Sequence, residues 1–335
     1  MTLTQPIFSE VVGLIKQARA KALSSVNKEL INLYWNIGEY ISKRVETEEW
    51  GKSVVQELAK FIQSTEPDIK GFNDRNLWRM KQFYETYKDF PKLSTLWSEL
   101  NWSNNRIIIS RCKSINEQEF YLKLCVAEKY TARELERQIN ACVFERKILS
   151  NQKLSPLARV LPQDIINTFQ DTYIFEFLNL SENHSENDLQ KALINQMKNL
   201  VTELGKDFLF IGSEYKLQVG NSDFFIDLLF YHRGLQSLVA FELKIDKFKP
   251  EYLGQLNFYL EALDQDVKKE NENPSIGILL CKDKDTEVVE YALNRNLSPT
   301  LIAEYQLLLP DKKILQEKLH QFYIEFEQNQ LHLND

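Results

Sequence analysis

The apolar residues change their period between the two halves of this 335-residue chain, and that change narrows the possible folds more than any other property. Up to about residue 150 they recur at helical spacing. Val11, Leu14, Ile15, Leu30, Leu33, Tyr34, Ile37 and Ile41 mark a first long helix from Ile7 to about Val45. Trp50-Gly51 interrupts it, and a second helix is expected over 52–63. Asn73 is placed to cap a third helix ending near Tyr87. Ser103 and Asn116 are expected to cap two more, and Thr131 with Glu134 three residues on spells a capping box. The back half alternates instead. An amphipathic helix over 188–204 leads into three strand-like runs, Phe208–Val219, Phe224–Tyr231 and Leu235–Leu243, with turns at Gly220-Asn221 and Arg233-Gly234. Helix, strand, helix and strand follow, at about 251–263, 276–281, 286–294 and 301–309, and the tail from Asp311 to about Gln328 is helical. The order α-β-β-β-α-β-α-β predicts an α+β chain: a helical domain over 1–150, a connecting segment over 151–187, and a mixed sheet with flanking helices over 188–335.

Charge follows the same division. Residues 1–150 hold 23 Lys and Arg against 19 Asp and Glu, whereas the remainder hold 18 against 29. A mildly basic front and an acidic back suggest modules with different partners, while the net charge of −7 argues against a protein that simply coats nucleic acid. No apolar stretch reaches the roughly 18 residues of a membrane span, and MTLTQPIFSE lacks the basic and apolar regions of a secretion signal. Cys112, Cys125, Cys142 and Cys281 form no CxxC pair and no zinc spacing, so they are expected as reduced thiols of a cytoplasmic protein.

Chemistry concentrates in FFIDLLFYHRGLQSLVAFELK. Side chains alternate along a strand, so Glu242 and Lys244 share one face, and Asp227 on the partner strand can reach that face. The charges interrupt strongly apolar runs, which carries them into semi-buried positions where an unpaired charge is costly. Two adjacent carboxylates are tolerable with a divalent cation between them, and hard oxygen ligands suit Mg²⁺ or Mn²⁺. Such an ion would polarise a phosphodiester, and Lys244 could offset charge developing on phosphorus. The plain alternative is a hairpin with charges on its solvated face. Gln255 and Tyr259, four residues apart on the next helix, share one face.

The run from Glu203 to Asp264 resembles the PD-(D/E)XK nuclease superfamily. Within it the chain is similar to the bacterial YhcG-like family, whose front half is a DUF1016 domain; WGKSVVQELA, GFNDRNLWRMKQFY, LNWSNNRIIIS, FYLKL and ARELERQI carry that part of the likeness. The resemblance implies a restriction-endonuclease-like αβββαβ back domain with Asp227 and Glu242 as metal ligands and Lys244 as the catalytic lysine. It further implies Gln255 near the metal site and Glu203 as an additional acidic ligand. The implied reaction is metal-dependent phosphodiester hydrolysis leaving a 5′-phosphate, with DNA the expected substrate, a homodimer for double-strand cleavage, and a role in defence or mobile-element biology. An RNA-directed nuclease and an inactive scaffold are the alternatives. Asn104 departs from the histidine that relatives often carry after the Trp-Ser pair.

Lys247 and Lys249 follow the Glu242 strand and are candidate phosphate contacts, with solvated loop lysines as the alternative. In the front domain, Arg75, Arg79 and Gln82 fall on one helical face and Leu77, Met80 and Tyr84 on the other. That division suits a nucleic-acid-reading helix, in a winged-helix or other helical arrangement, and equally an ordinary surface helix. His232 at a turn is not expected to act as a base.

Overall fold

A computed structural model describes residues 4–47, 52–150, 155 and 168–332. They divide into two compact units, residues 1–139 and 140–335. Parts of the expected connecting segment, including most of SNQKLSP and all of LPQDI, lie outside the described residues.

The first unit is built from α1 (Thr4–Glu46), α2 (Lys52–Thr65), α3 (Asp74–Tyr87), α4 (Ser94–Trp97), α5 (Trp102–Arg111), α6 (Ile115–Glu128) and α7 (Ala132–Asn140). Asn73 caps α3 by accepting the Asn76 N–H, and Thr131 and Glu134 bond reciprocally at the start of α7, as the pattern predicts. Two caps fall elsewhere. Asn101 rather than Ser103 opens α5, and Ser114 rather than Asn116 opens α6, because their side chains reach the amides of Asn104 and Glu117. Among the described residues this unit contains no strand, so the winged-helix option lacks a wing there.

Its core joins Ile31, Tyr34 and Ile41 of α1 to Leu77, Met80 and Phe83 of α3. Trp35 stacks on Trp97 with ring centroids 4.9 Å apart, and Phe83 presents its edge to Trp97 and Trp102. The helices approach so closely at Gly38 that a Cβ there would stand 2.1 Å from the Met80 carbonyl oxygen. Glycine is required at this crossing by space rather than by dihedral freedom.

The second unit carries a six-stranded sheet in the order β1-β6-β5-β4-β3-β2. The strands are β1 (Thr172–Ile174), β2 (Phe208–Val219), β3 (Ser222–His232), β4 (Ser237–Leu243), β5 (Ile276–Cys281) and β6 (Thr300–Gln306). β2, β3 and β4 form the antiparallel meander, whereas β4, β5, β6 and β1 are parallel. One face packs on α9 (Glu186–Asn195) and α10 (Met197–Leu204), the other on α11 (Tyr252–Asp266) and α12 (Thr286–Leu293). Burial on both faces explains why β4 and β5 read as continuous apolar runs. Gly277 of β5 lets α11 close in, since a Cβ there would press on Leu256 at 2.9 Å.

Two boundaries differ from expectation. The helix over 188–204 is two helices broken at Gln196, and it begins at Glu186, where Ser185 and Asp188 complete a capping box. The connecting segment is not a separate piece. Its TYIFEFLNL run supplies β1, with Tyr173, Ile174 and Phe175 fully buried beside β6, because an apolar three-residue edge strand can be satisfied by a parallel partner supplied later in the chain. Likewise α8 (Val143–Leu149), expected in the front domain, belongs to this unit and packs with α13 (Lys312–His332).

Gly38→Ala is expected to lower stability by about 1–3 kcal/mol through overpacking. Gly13→Ala on the same helix meets nothing within 4 Å and should be neutral or slightly stabilising. Urea unfolding of the two variants checks this; equal losses would contradict it.

Candidate active site

The β3–β4 ladder pairs Leu228 with Phe241 and goes no further. One step on, Asp227 and Glu242 stand opposite each other where the strands part, β3 staying with β2 and β4 with β5. The parting leaves the Leu243 N–H without a backbone acceptor on β3, and Asp227 Oδ2 accepts it at 2.7 Å. Gln190 of α9 donates to the Asp227 carbonyl oxygen at 3.0 Å. Asp227 is therefore held by both its carboxylate and its backbone.

Glu242 is 2% exposed. Its Oε1 accepts from Lys244 Nζ at 3.0 Å, while its buried Oε2 has no hydrogen-bond partner. Burial, and then the neighbouring Asp227, push its carboxyl up to about 7 against the pull of Lys244. Asp227 is also raised, by burial, with Glu186 and Glu214 adding to the effect and the Leu243 N–H and Lys244 opposing it. Lys244 Nζ lies 3.4 Å from Glu186 and 5.5 Å from the centre of the Tyr252 ring. Burial works against its charge, but Glu242, Glu186 and Asp227 outweigh burial and hold its proton above the ordinary lysine range. The structure thus brings Asp227, Glu242 and Lys244 into one electrostatic cluster.

Other expected residues are placed differently. Gln255 is exposed and donates to the Tyr259 hydroxyl at 2.7 Å. Tyr259 is buried, and the Glu242 and Asp227 charges contribute, after burial, to raising its hydroxyl. Glu203 is not brought to the cluster. Its fully buried carboxylate accepts the Ile174 N–H at 2.9 Å and faces Arg146 at 3.4 Å. Arg146 also donates to the Thr172 carbonyl, so this pair fastens α8 and α10 to β1. A buried charge pair of this kind serves packing, because removing either partner strands the other in the interior.

The acid that does reach the cluster is Glu186, in the first turn of α9, one helical turn before Gln190. The signal for it was the Ser185/Asp188 capping box, which sets the helix start two residues earlier than the apolar periodicity does. Glu214, on β2 with φ 47°, is a second acid acting on Asp227. Lys247 and Lys249 are exposed and lie near Asp283 (3.8 Å) and Asp246 (2.7 Å) respectively. Asp246 also accepts from the Tyr252 hydroxyl. His232 is buried against Phe208 and accepts the Leu235 N–H, and burial lowers its basicity, so it caps a turn.

Among the described residues no group of three or more His, Cys, Asp or Glu is gathered as a ready-made cation site. What fits a divalent cation is the donor set itself: a half-buried and a buried carboxylate on parting strands, the buried one with an oxygen lacking any partner.

An acid from one strand meeting an acid and a lysine from the next, on this core, matches the pattern of PD-(D/E)XK nucleases. Two family models agree with that class: residues 166–320 match the YhcG PDDEXK nuclease domain, and residues 10–146 match the DUF1016 N-terminal domain. Over 356 aligned residues the chain is 30% identical to the Escherichia coli (strain K12) nuclease candidate YhcG, spanning 94% of this chain and 93% of that protein. The chain belongs to the YhcG family of PD-(D/E)XK nucleases. Among solved structures, a repair endonuclease from Pyrococcus abyssi is 16% identical, covering 39% of this chain and 50% of that one, with a TM-score of 0.26. An EndoMS complex with double-stranded DNA is 18% identical over 40% and 47%, with a TM-score of 0.26. Likenesses this distant carry no weight for substrate.

Glu242 provides a pH test. Free of metal, its carboxyl is raised from 4.5 to about 7, so the folded protein binds the proton more tightly than the unfolded chain. Its contribution to stability is full below about pH 4.5 and is lost as pH rises through 7. In EDTA, wild type should therefore lose melting temperature relative to Glu242→Gln between pH 5 and 7.5. A difference that stays constant across that window would contradict the assignment.

Proposed function

We propose that this nuclease hydrolyses phosphodiester bonds in DNA in a reaction dependent on Mg²⁺ or Mn²⁺, in the cytoplasm, as a homodimer. The observation that carries the metal dependence is the buried, unpartnered Oε2 of Glu242 beside Asp227. Asp227 and Glu242 would hold the cation, which when bound supplies polarisation of the scissile phosphoryl group and a lowered pKa for water.

The chain's own side chains do the rest. The Leu243 N–H fixes the orientation of Asp227 and leaves its other oxygen for a ligand. Glu242 must be ionised to bind a cation, so binding releases its proton and strengthens as pH rises through about 7. Lys244, kept charged by three carboxylates, presents an ammonium group to the charge developing on the scissile phosphate. Tyr252 flanks that ammonium and narrows its range. Glu186 stands on the far side of Lys244 as a second acidic partner. Gln255 with Tyr259 lines the same side of α11, placed to orient substrate or water. Lys247 and Lys249, exposed beyond the site, contact flanking phosphates.

The cytoplasmic assignment rests on four buried cysteines that form no disulfide; no helix of the described residues is long and apolar enough to cross a membrane. The dimer rests on an apolar seam of α1. Leu23, Val26, Leu30 and Leu33 follow alternating three- and four-residue spacing and are all exposed. Such a seam fits a second copy of the same helix, and two copies supply one active site for each strand of a duplex.

A panel of single- and double-stranded DNA and RNA, incubated with Mg²⁺ or Mn²⁺, tests the reaction. Cleavage of DNA is expected, at least about 100-fold slower in Asp227→Ala, Glu242→Ala and Lys244→Ala, and abolished by EDTA. Cleavage that survives in Glu242→Ala would overturn the site; cleavage of RNA alone would overturn the substrate. For the dimer, sedimentation equilibrium should give twice the chain mass of 39.5 kDa, falling to the monomer in Val26→Glu/Leu30→Glu. A wild-type monomer at tens of micromolar would remove the seam's role.

A further inference from the structure

Arg75 and Arg79 sit one turn apart on α3, and Arg106 lies on α5. The two helices are joined beside them: Trp102 Nε1, one turn before Arg106, donates to Asn76 Oδ1 at 2.8 Å. That hydrogen bond is fixed at both ends. Asn76 also donates to the Gly71 carbonyl at 2.5 Å, and Trp102 packs on Tyr34 at 4.9 Å. Arg79 is part-buried, and after burial its charge is opposed chiefly by Arg106 and Arg75. Three guanidinium groups therefore share one neighbourhood.

Like charges gathered at a partly desolvated surface repel, so folded proteins normally interleave carboxylates among them. Here no carboxylate of the described residues pairs with them. Among the described residues, Arg75, Arg79 and Arg106 make no ion pair, although other cations of the same unit, Lys43, Lys81, Lys88 and Arg111, each have a glutamate partner. Arg106 shows the deficit at a single atom. Its Nε is buried and has no hydrogen-bond acceptor, a condition that is unfavourable unless something outside the chain satisfies it. Arg75 is exposed, so the group opens to solvent rather than to an internal cavity.

The geometry points to a phosphate-binding site formed by Arg75, Arg79 and Arg106, which takes a backbone phosphate of duplex DNA and anchors the substrate on the first unit. Guanidinium forks match phosphate oxygens two bonds at a time, and three of them around one anion remove both the mutual repulsion and the unsatisfied Nε. Placement on two crossed helices, locked by the Trp102–Asn76 bond, holds the forks without help from a flexible loop. This deepens the nuclease reading and rests on it for the identity of the ligand, not for the existence of the site.

The experiment measures binding of the full chain to a fluorescent 20-base-pair DNA duplex in EDTA, where no cleavage intervenes, over a series of salt concentrations. Arg79→Gln/Arg106→Gln should weaken binding about 10-fold or more at low salt and reduce the slope of log K against log salt by about one. Arg79→Lys/Arg106→Lys should keep the slope and lose most of the affinity, because lysine restores charge but not the fork. Lys92→Gln/Lys113→Gln, an equal charge loss elsewhere on the same unit, should change affinity less than 3-fold. Equal effects of the two glutamine pairs, or unchanged affinity in the arginine variants, would overturn the site. Two further arms identify the source of the phosphate. Arginine-dependent binding of inorganic pyrophosphate with duplex binding unaffected would overturn the DNA assignment in favour of a small anion. Arginine-dependent binding confined to RNA would overturn it in favour of RNA. Failure of the nuclease reading is separately visible: a wild type that cuts nothing yet binds duplex DNA through the arginines would leave this site standing.

Discussion

Where β3 and β4 stop pairing after Leu228 and Phe241, a backbone donor is released inside a well-packed sheet, and Asp227 takes it. Much of the site follows from that substitution. A carboxylate doing the work of a ladder carbonyl is pinned in place, and its partner in register, Glu242, is carried into the interior with it. Two acids brought together out of water both lose acidity; Lys244 and the Leu243 N–H relieve the crowding, while Glu186 adds to it. The site is therefore short of positive charge in a place where the fold has already bought rigidity. That is a setting suited to a cation and a phosphodiester.

The parallel half of the sheet makes this arrangement stable. β4 and β5 are buried on both faces, so the strand bearing Glu242 cannot relax toward water. The Arg146–Glu203 pair serves the opposite edge, tying β1 to two helices. Two buried acids of the same unit thus have opposite fates. Glu203 has its charge answered by an arginine and a backbone amide, whereas Glu242 keeps one oxygen unanswered. Satisfied charge holds structure together, whereas the oxygen left open on Glu242 suits the cation proposed for it. The same contrast separates the paired lysines of the first unit from the three arginines on α3 and α5.

Much of the architecture was legible in the residues. Strand alternation put Glu242 and Lys244 on one face, and the two turn signals gave the meander its limits within two residues at every end. Capping chemistry found Asn73 and Thr131, since a short polar side chain before an apolar period has few other uses. The same reasoning missed Asn101 and Ser114, which lie only two residues from the expected caps, because several polar residues there could close the same turn. It placed Glu203 with the metal ligands by likeness, and the fold gave that residue to Arg146.

Periodicity, turn residues and local capping act over a few positions, and so the sequence by itself determined the two modules, the order of elements and the face on which the charged strand residues stand. Register, strand order and the fate of each buried charge depend on residues far apart in the chain. Glu186 meets Lys244 across 58 positions, Glu203 meets Arg146 across 57, and β1 finds β6 only after more than a hundred residues. The tertiary structure alone decided which acids are answered and which are left open, because that depends on what packs beside a carboxylate once water has been excluded.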